Sequence, residues 1–492
     1  MGVMRFEVHP PELGQPWQGW ECAYVSGLGG RIFATRPDFD GSILTCRRSQ
    51  NDSGKVCVPW PVSGHGMPLV STASLREREQ PYVLSLELAR GKLCEVRDQA
   101  AIWEMGRMSI PEAFRTAQQK AFRAFARASS CGDELAIKVG YANESLKHAF
   151  DAAEILIGAY SLQRLASVRR TQRHAPGLLG APFEGDLSDP QIQSAFDTTF
   201  DTVCVPLKWT HIEPEEGQYN WQAADDLVRW AAEKRKILSG GPLVDLSPNG
   251  LPPWLAPWKN DVLNLPSFVC DYVDTVIGRY AGLIRMWEVS TAGNTGGALD
   301  LSEEHRLALV ARTLEAAVRK DADSQFFIRI EQPWGEYQRS GRHRLSPFEF
   351  VDAIIRSSMG LTGVTLEINA GYCRNGCISR DLLSISRLID QWSMLGVQLH
   401  VALACPSATT TDTKATPISV SSNWKDKWSI ETQADWFELV LPLLLAKPAV
   451  TGVFLQQFDD SIPHKFPHAG AIDDTGKQKP VLDAFRGQRG EN

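Results

Sequence analysis

Acidic side chains punctuate the apolar runs in the C-terminal two-thirds of this chain. Asp245 closes the run 237–246, Glu288 lies in 283–290, Glu331 in 325–332 and Glu367 in 364–370, while Asp459 and Asp460 follow 450–458. An ionisable group in an apolar strand needs a partner or a task. The stretch Glu331-Gln-Pro-Trp334-Gly-Glu336-Tyr337 adds a second acid beside two aromatics. Two neighbouring carboxyls, one kept protonated by burial and the other ionised, can share general acid and general base or nucleophile work. Glu367 with Glu331 or Glu336 is the pair the sequence offers. The same acids are equally suited to binding ligand hydroxyls or to pairing with Arg329 and Arg374. For Glu288, next to Trp287, a buried hydrogen-bonded role is the simpler expectation.

His464 and His468 stand four apart, but Pro463 and Pro467 exclude a helix, so the helical metal-pair spacing does not apply. His464 reads as a hydrogen bonder and His400, inside an apolar run, as a core histidine. The ten cysteines are scattered apart from Cys373 and Cys377, which have no zinc-spaced partners. No metal or cofactor is expected.

The elements that would position these groups change character along the chain. Residues 1–105 carry short alternating runs such as Arg31-Ile-Phe-Ala-Thr and Tyr82-Val-Leu-Ser-Leu-Glu-Leu between Gly, Pro, Asn and Asp clusters, the pattern of a small antiparallel β-sandwich. Trp17, Trp20 and Trp60 there serve to close a small core. Residues 106–175 predict a helical hairpin: Ser109-Ile-Pro-Glu112 reads as a capping box, and a second helix runs from Asp133 to about Leu165. From 176 to 490 apolar strands alternate with helical segments, with strands at 178–184, 202–209, 237–246, 283–290, 325–332, 364–370, 398–405 and 450–458. Eight is the number that closes a (β/α)₈ TIM barrel, whose chemistry sits at the strands' C-terminal ends. The Ser/Thr-rich stretch 406–422 would then be a long loop at that end.

A net charge of −7 with interspersed signs gives no basic field for nucleic acid, and no apolar run is long enough to cross a membrane. The first residues lack the apolar run of a signal peptide, so a cytoplasmic location is expected.

The segment Leu207-Lys208-Trp209-Thr-His-Ile-Glu-Pro-Glu-Glu-Gly217-Gln-Tyr-Asn-Trp221, with Leu251-Pro-Pro-Trp254, Trp287-Glu-Val and Lys479-Pro480, resembles family 10 glycoside hydrolases, the xylanase family. The resemblance covers roughly 310 residues and implies a TIM barrel acting on β-linked oligo- or polysaccharide. It implies that Lys208 and Trp209 line a sugar cleft, that Glu367 and Asn369 face the sugar with Tyr372 nearby, and that His464 stands where the family has a cleft Trp. Asp245, Trp254, Trp334 and Asp460 join the candidate binding residues, because sugar rings stack on aromatic faces while their rim hydroxyls need polar partners. The family's catalytic glutamates are not found: strand four continues Ser290-Thr291-Ala292 at the acid/base position, and strand seven places Leu403 at the nucleophile. Cys204 and Gly241 likewise replace an Asn and a His of the pattern. Any hydrolysis would depend on relocated carboxylates, and the alternative is a catalytically silent carbohydrate-binding protein.

Overall fold

The computed structural model describes residues 2–9, 17–132, 134–171, 177–184, 187–261, 263–357, 359–372, 377–418, 420 and 423–489. Arg374 and Cys373 lie outside them.

All eight anticipated barrel strands form, at Leu178–Pro182, Thr202–Val205, Ile237–Gly240, Met286–Thr291, Gln325–Ile330, Gly363–Asn369, Gln398–Ala404 and Val450–Leu455. Each pairs in parallel with the next, and the ring closes where strand eight meets strand one, Gly452 opposite Leu178. Strand three breaks after Gly240 and resumes at Val244–Asp245 beside strand four. Gly241 makes that break possible: its φ is +126° and a Cβ there would lie 2.3 Å from the Glu288 carbonyl oxygen.

Alternation along each strand sorts its residues between the lumen and the helix layer. On strand five Phe327 meets His400 in the lower lumen, with ring centroids 3.9 Å apart and planes 12° from parallel. Arg329 follows one layer higher and Glu331 at the mouth. On strand eight Gly452, Phe454 and Gln456 share the lumen face, and on strand seven His400, Ala402 and Ala404 do, by their register with strands six and eight. Leu399, Val401 and Leu403 instead join the large core beneath the helices. Leu403 therefore does not project into the lumen as the resemblance implied. Above His400 the strand-seven side chains that do are Ala402 and Ala404, so that strand brings no ionisable group to the mouth.

The N-terminal part holds two four-stranded sheets. One runs Thr35–Phe39, Ile43–Arg48, Gly2–Glu7, Tyr82–Val83; the other Ile32–Phe33, Tyr24–Ser26, Lys55–Pro59, Leu69–Ser71. Trp17 and Trp60 close their shared core edge to face, and the Trp17 indole donates to the Pro59 carbonyl at 3.1 Å. The expected strand at Tyr82–Leu88 is corrected: after two strand residues the chain enters a helix, Leu84–Met105, whose Leu84 and Leu88 are buried in the sandwich core. Spacing of four satisfies a helix as well as a strand, and burial on one face decides for the helix.

The helices Glu112–Ser130 and Leu135–Thr171 pack as the hairpin expected, through Ala117, Ala121, Ala124 and Ala128. The capping box does not form. Pro111 is the N-cap, and the Ser109 backbone is held by the Gln163 side chain, which accepts from its N–H at 2.9 Å and donates to its carbonyl at 2.8 Å. The N-terminal sheets and helices lean on the barrel beside strands five to seven. Lys92 pairs with Asp381 at 2.5 Å, Arg387 with Glu95 at 2.8 Å, and Gly66 bridges to Trp424. Among the described residues no helix is long and apolar enough to cross a membrane.

Candidate active site at the barrel mouth

Arg329 stands at the centre of the upper lumen. Its Nε and Nη2 donate to the Glu288 carboxylate at 2.9 and 2.6 Å, and its Nη1 donates to Gln456 Oε1 at 2.7 Å and to Glu367 Oε1 at 3.4 Å. Asn369 Nδ2 donates to the other Glu367 oxygen at 3.0 Å, and Gln456 Nε2 donates to Asn369 Oδ1 at 2.7 Å. Strands four, five, six and eight thus supply one connected network. A buried charge of either sign would be costly there alone, and Arg329 offsets that cost for two carboxylates. Glu288 takes the buried, hydrogen-bonded role expected of it.

Above this network, Glu331 accepts from Lys465 Nζ and from Thr295 Oγ1, each at 2.7 Å. Its backbone is fixed by Asn294, whose Nδ2 donates to the Glu331 carbonyl at 2.8 Å. The two candidate acids are displaced in opposite directions. Burial pushes the Glu367 carboxyl above the ordinary carboxylate value; Lys465 opposes this, the Glu331 charge adds to it and Arg329 opposes it. Burial also acts on Glu331, but Lys465, Thr295 and Arg329 outweigh it and hold that carboxyl low. Lys465, whose side chain is about half exposed, is held charged by Glu331, Glu367 and, at longer range, Asp245.

The structure brings Glu331, Glu367, Asn369 and Asp245 to one mouth, with Lys208 at its rim paired to Glu184 at 3.1 Å. Other expected residues stand elsewhere. Glu336 does not join the acids: its carboxylate accepts from Arg380 at 2.7 Å where the N-terminal sheet meets the barrel. Trp209 is buried, its indole donating to Glu213 Oε2 at 2.8 Å and its ring stacked on Tyr272 at 4.5 Å, so it is core and not a sugar platform. Trp254 packs edge-on against Trp209 and donates to the Glu213 carbonyl at 3.2 Å. Trp334 lies under the Arg380 guanidinium at 4.5 Å and lines a cavity between the two parts of the chain. Tyr372 is fully buried and its hydroxyl donates to the Pro467 carbonyl at 2.7 Å. Asp460 is a buried anchor that accepts from Lys479 and from the Gly470 N–H. His464 clasps two loops: its Nδ1 meets the Ile462 carbonyl at 2.7 Å and its Nε2 meets Asp412 at 3.0 Å.

Sequence reasoning did not single out Lys465, Thr295 or Gln456, and it treated Arg329 only as a partner for acids. For Arg329 a signal existed. In Phe327-Ile-Arg329-Ile-Glu331 a cation occupies the middle of three alternate positions, all on the lumen face. Lys465 sits in a proline-flanked loop where nothing local marks it.

A model of Glycosyl hydrolase family 10 matches residues 174–292. Endo-1,4-beta-xylanase 3 of Hypocrea jecorina is 34% identical over 129 residues, covering 25% of this chain and 35% of that protein. Endo-1,4-beta-xylanase B of Thermotoga neapolitana is 23% identical over 298 residues, covering 57% and 77%. This chain therefore spans about a third of the length of the first relative. Xylanase 10B of Thermotoga petrophila RKU-1, solved with xylobiose, superposes with a TM-score of 0.49 at 17% identity over 64% of this chain and 94% of that one. The first part of the barrel, residues 174–292, is thus similar to family 10 glycoside hydrolases.

Proposed function

We propose that the barrel mouth is the carbohydrate site of a glycoside hydrolase that takes β-linked, xylan-type chains, with Glu367 and Glu331 as relocated catalytic carboxyls. The observation that carries this reading is the opposite displacement of two acids at the end of the barrel where such enzymes keep their chemistry. Glu367, whose carboxyl burial raises above the ordinary carboxylate value, gives its proton to the leaving sugar oxygen. Glu331, kept ionised, either activates a water or attacks the anomeric carbon, and the stereochemistry of the product tells which. For Glu331 to act, substrate hydroxyls must draw Lys465 off the carboxylate.

A second reading, binding without turnover, is favoured by one specific feature: each acid already faces a cation, Lys465 on Glu331 and Arg329 on Glu367. Hydrolysis of an aryl β-xyloside and of a xylo-oligosaccharide series separates the two. Turnover abolished by Glu367→Gln or Glu331→Gln, and spared by Glu336→Gln, supports the hydrolase. Oligosaccharide binding with no turnover in the unmodified chain supports the binder, and neither binding nor turnover refutes both.

A further inference from the structure

A second recess lies away from the barrel mouth. It is a cavity of about 600 Å³ between the N-terminal sheet and the loops and helix that follow barrel strands five and six. A smaller one of about 210 Å³ shares Lys55, Ser71, Glu95 and Arg387 with it.

Five cations line the larger cavity: Arg31, Lys55, Lys92, Arg380 and Arg387. Three are neutralised by carboxylates in or just behind the wall: Lys92 by Asp381, Arg387 by Glu95 and Arg380 by Glu336. Among the described residues Arg31 and Lys55 have no carboxylate within ion-pairing distance. The Arg31 guanidinium reaches only the Arg344 carbonyl, at 3.5 Å. Of the acids that line the wall, Glu349 is engaged in the N-cap of its own helix.

Two buried polar atoms in this wall also lack partners. Arg380 uses Nη2 on Glu336 and on the Tyr24 hydroxyl, at 2.7 and 3.0 Å, and leaves Nε–H unused. Gln338, 3% exposed, leaves Oε1 without a donor. Buried polar groups are ordinarily satisfied, so a donor and an acceptor left open on one cavity wall call for a ligand that supplies both complements. Unpaired cations call for an anion, and an open acceptor calls for a hydroxyl.

We propose that this cavity binds a small polyhydroxylated anion, a sugar bearing a carboxylate or a phosphate. Its charged group lies between Arg31 and Lys55, and a ring hydroxyl donates to Gln338 Oε1. Trp334 joins this wall to the barrel mouth, because it is carried three residues after Glu331 on the same loop.

Isothermal titration of the full chain with D-glucuronate, D-glucose 6-phosphate and D-glucose tests this. At least one anion is expected to bind, with glucose weaker by about tenfold or more. The paired substitutions Arg31→Ala and Lys55→Ala, both of partly exposed side chains, are expected to weaken the anion by a similar factor while circular dichroism and Tm stay unchanged. Gln338→Leu is expected to abolish the preference for the sugar anion over acetate or inorganic phosphate. Binding of glucuronate alone identifies a carboxylate ligand, and of the phosphate alone a phosphate ligand. No heat from either anion, equal binding of glucose, or binding indifferent to the double substitution overturns the proposal. None of these readouts needs turnover, so failure here leaves the reading of the barrel mouth untouched.

Discussion

Replacing Arg329 by Met should expose how the lumen network is balanced. Met keeps the length and apolar stem of the side chain but withdraws the donors to Glu288, Glu367 and Gln456. The Glu288 and Glu367 side chains are only 10% and 5% exposed, so neither regains much hydration when the guanidinium goes. Removing one partner of a buried ion pair costs about 3–5 kcal/mol. At about 2 °C per kcal/mol, the low end for a large domain, Tm should fall by roughly 6–10 °C. The loss should also depend on pH. Without Arg329 the Glu367 carboxyl, already raised by burial, rises further. A carboxyl whose folded pKa is raised contributes stability that is fully present below its unfolded pKa and lost as pH rises through the folded value. The deficit of the variant is therefore smaller at pH 5 than at pH 8. Adding Glu288→Gln to Arg329→Met removes one orphaned charge and should restore part of the loss, with a coupling of about 0.5–3 kcal/mol. Urea unfolding followed by tryptophan fluorescence at the two pH values measures all of this. A loss below about 1 kcal/mol, a loss independent of pH, or no recovery in the double variant would refute the idea that Arg329 is the counter-charge of this lumen.

His400 offers an acid-side counterpart: burial, helped by Arg329, brings its imidazole from 6.5 down to about 3. Its neutral form contributes stability that is lost as pH falls from about 6.5 towards 3, by about 3–5 kcal/mol. In His400→Phe that part of the acid-induced drop in Tm should vanish, and parallel Tm–pH curves for the two proteins would contradict it. At the mouth, Lys465→Met deprives Glu331 of the cation that holds its carboxyl low, so the acid limb of any xyloside hydrolysis should move to higher pH. A pH–rate profile that stays in place would remove Glu331 from the base or nucleophile role.

What the sequence made legible depended on how local the physics was. The eight barrel strands could be read because strands buried on both faces are continuous apolar runs, and the lengths between them fit helices. The N-terminal region was harder, since its strands are two to six residues long and a leucine spacing of four at Leu84 and Leu88 fits either period. At the site the acids were visible and their partners were not. Arg329 gains its meaning from Glu288, Glu367 and Gln456, which lie 41, 38 and 127 residues away in sequence. Trp209 is the opposite case: its indole is satisfied by Glu213, four residues on, within or at the edge of a single helical turn. That spacing was in the sequence and argued for a packed, hydrogen-bonded ring instead of a ligand platform.

The same division separates the frame of the barrel from its mouth. Closure of the ring depends on backbone pairing and on the outward apolar residues, such as Leu399, Val401 and Leu403 on strand seven, which pack beneath the helices whatever the lumen holds. The inward residues of that strand, Ala402 and Ala404, are small and add no charge. The space they leave is bordered by Glu367 and Asn369 on strand six and Gln456 at the end of strand eight, a polar set tied together through Arg329. Polar atoms in so enclosed a lumen must be satisfied as a group, because one orphaned member costs as much as a lost hydrogen bond or more. A glutamate introduced at Ala402 alone would therefore meet a network already balanced around Arg329. A strand-seven carboxylate would need a further counter-charge, or the loss of Glu288 or Glu367, to be held there at little cost.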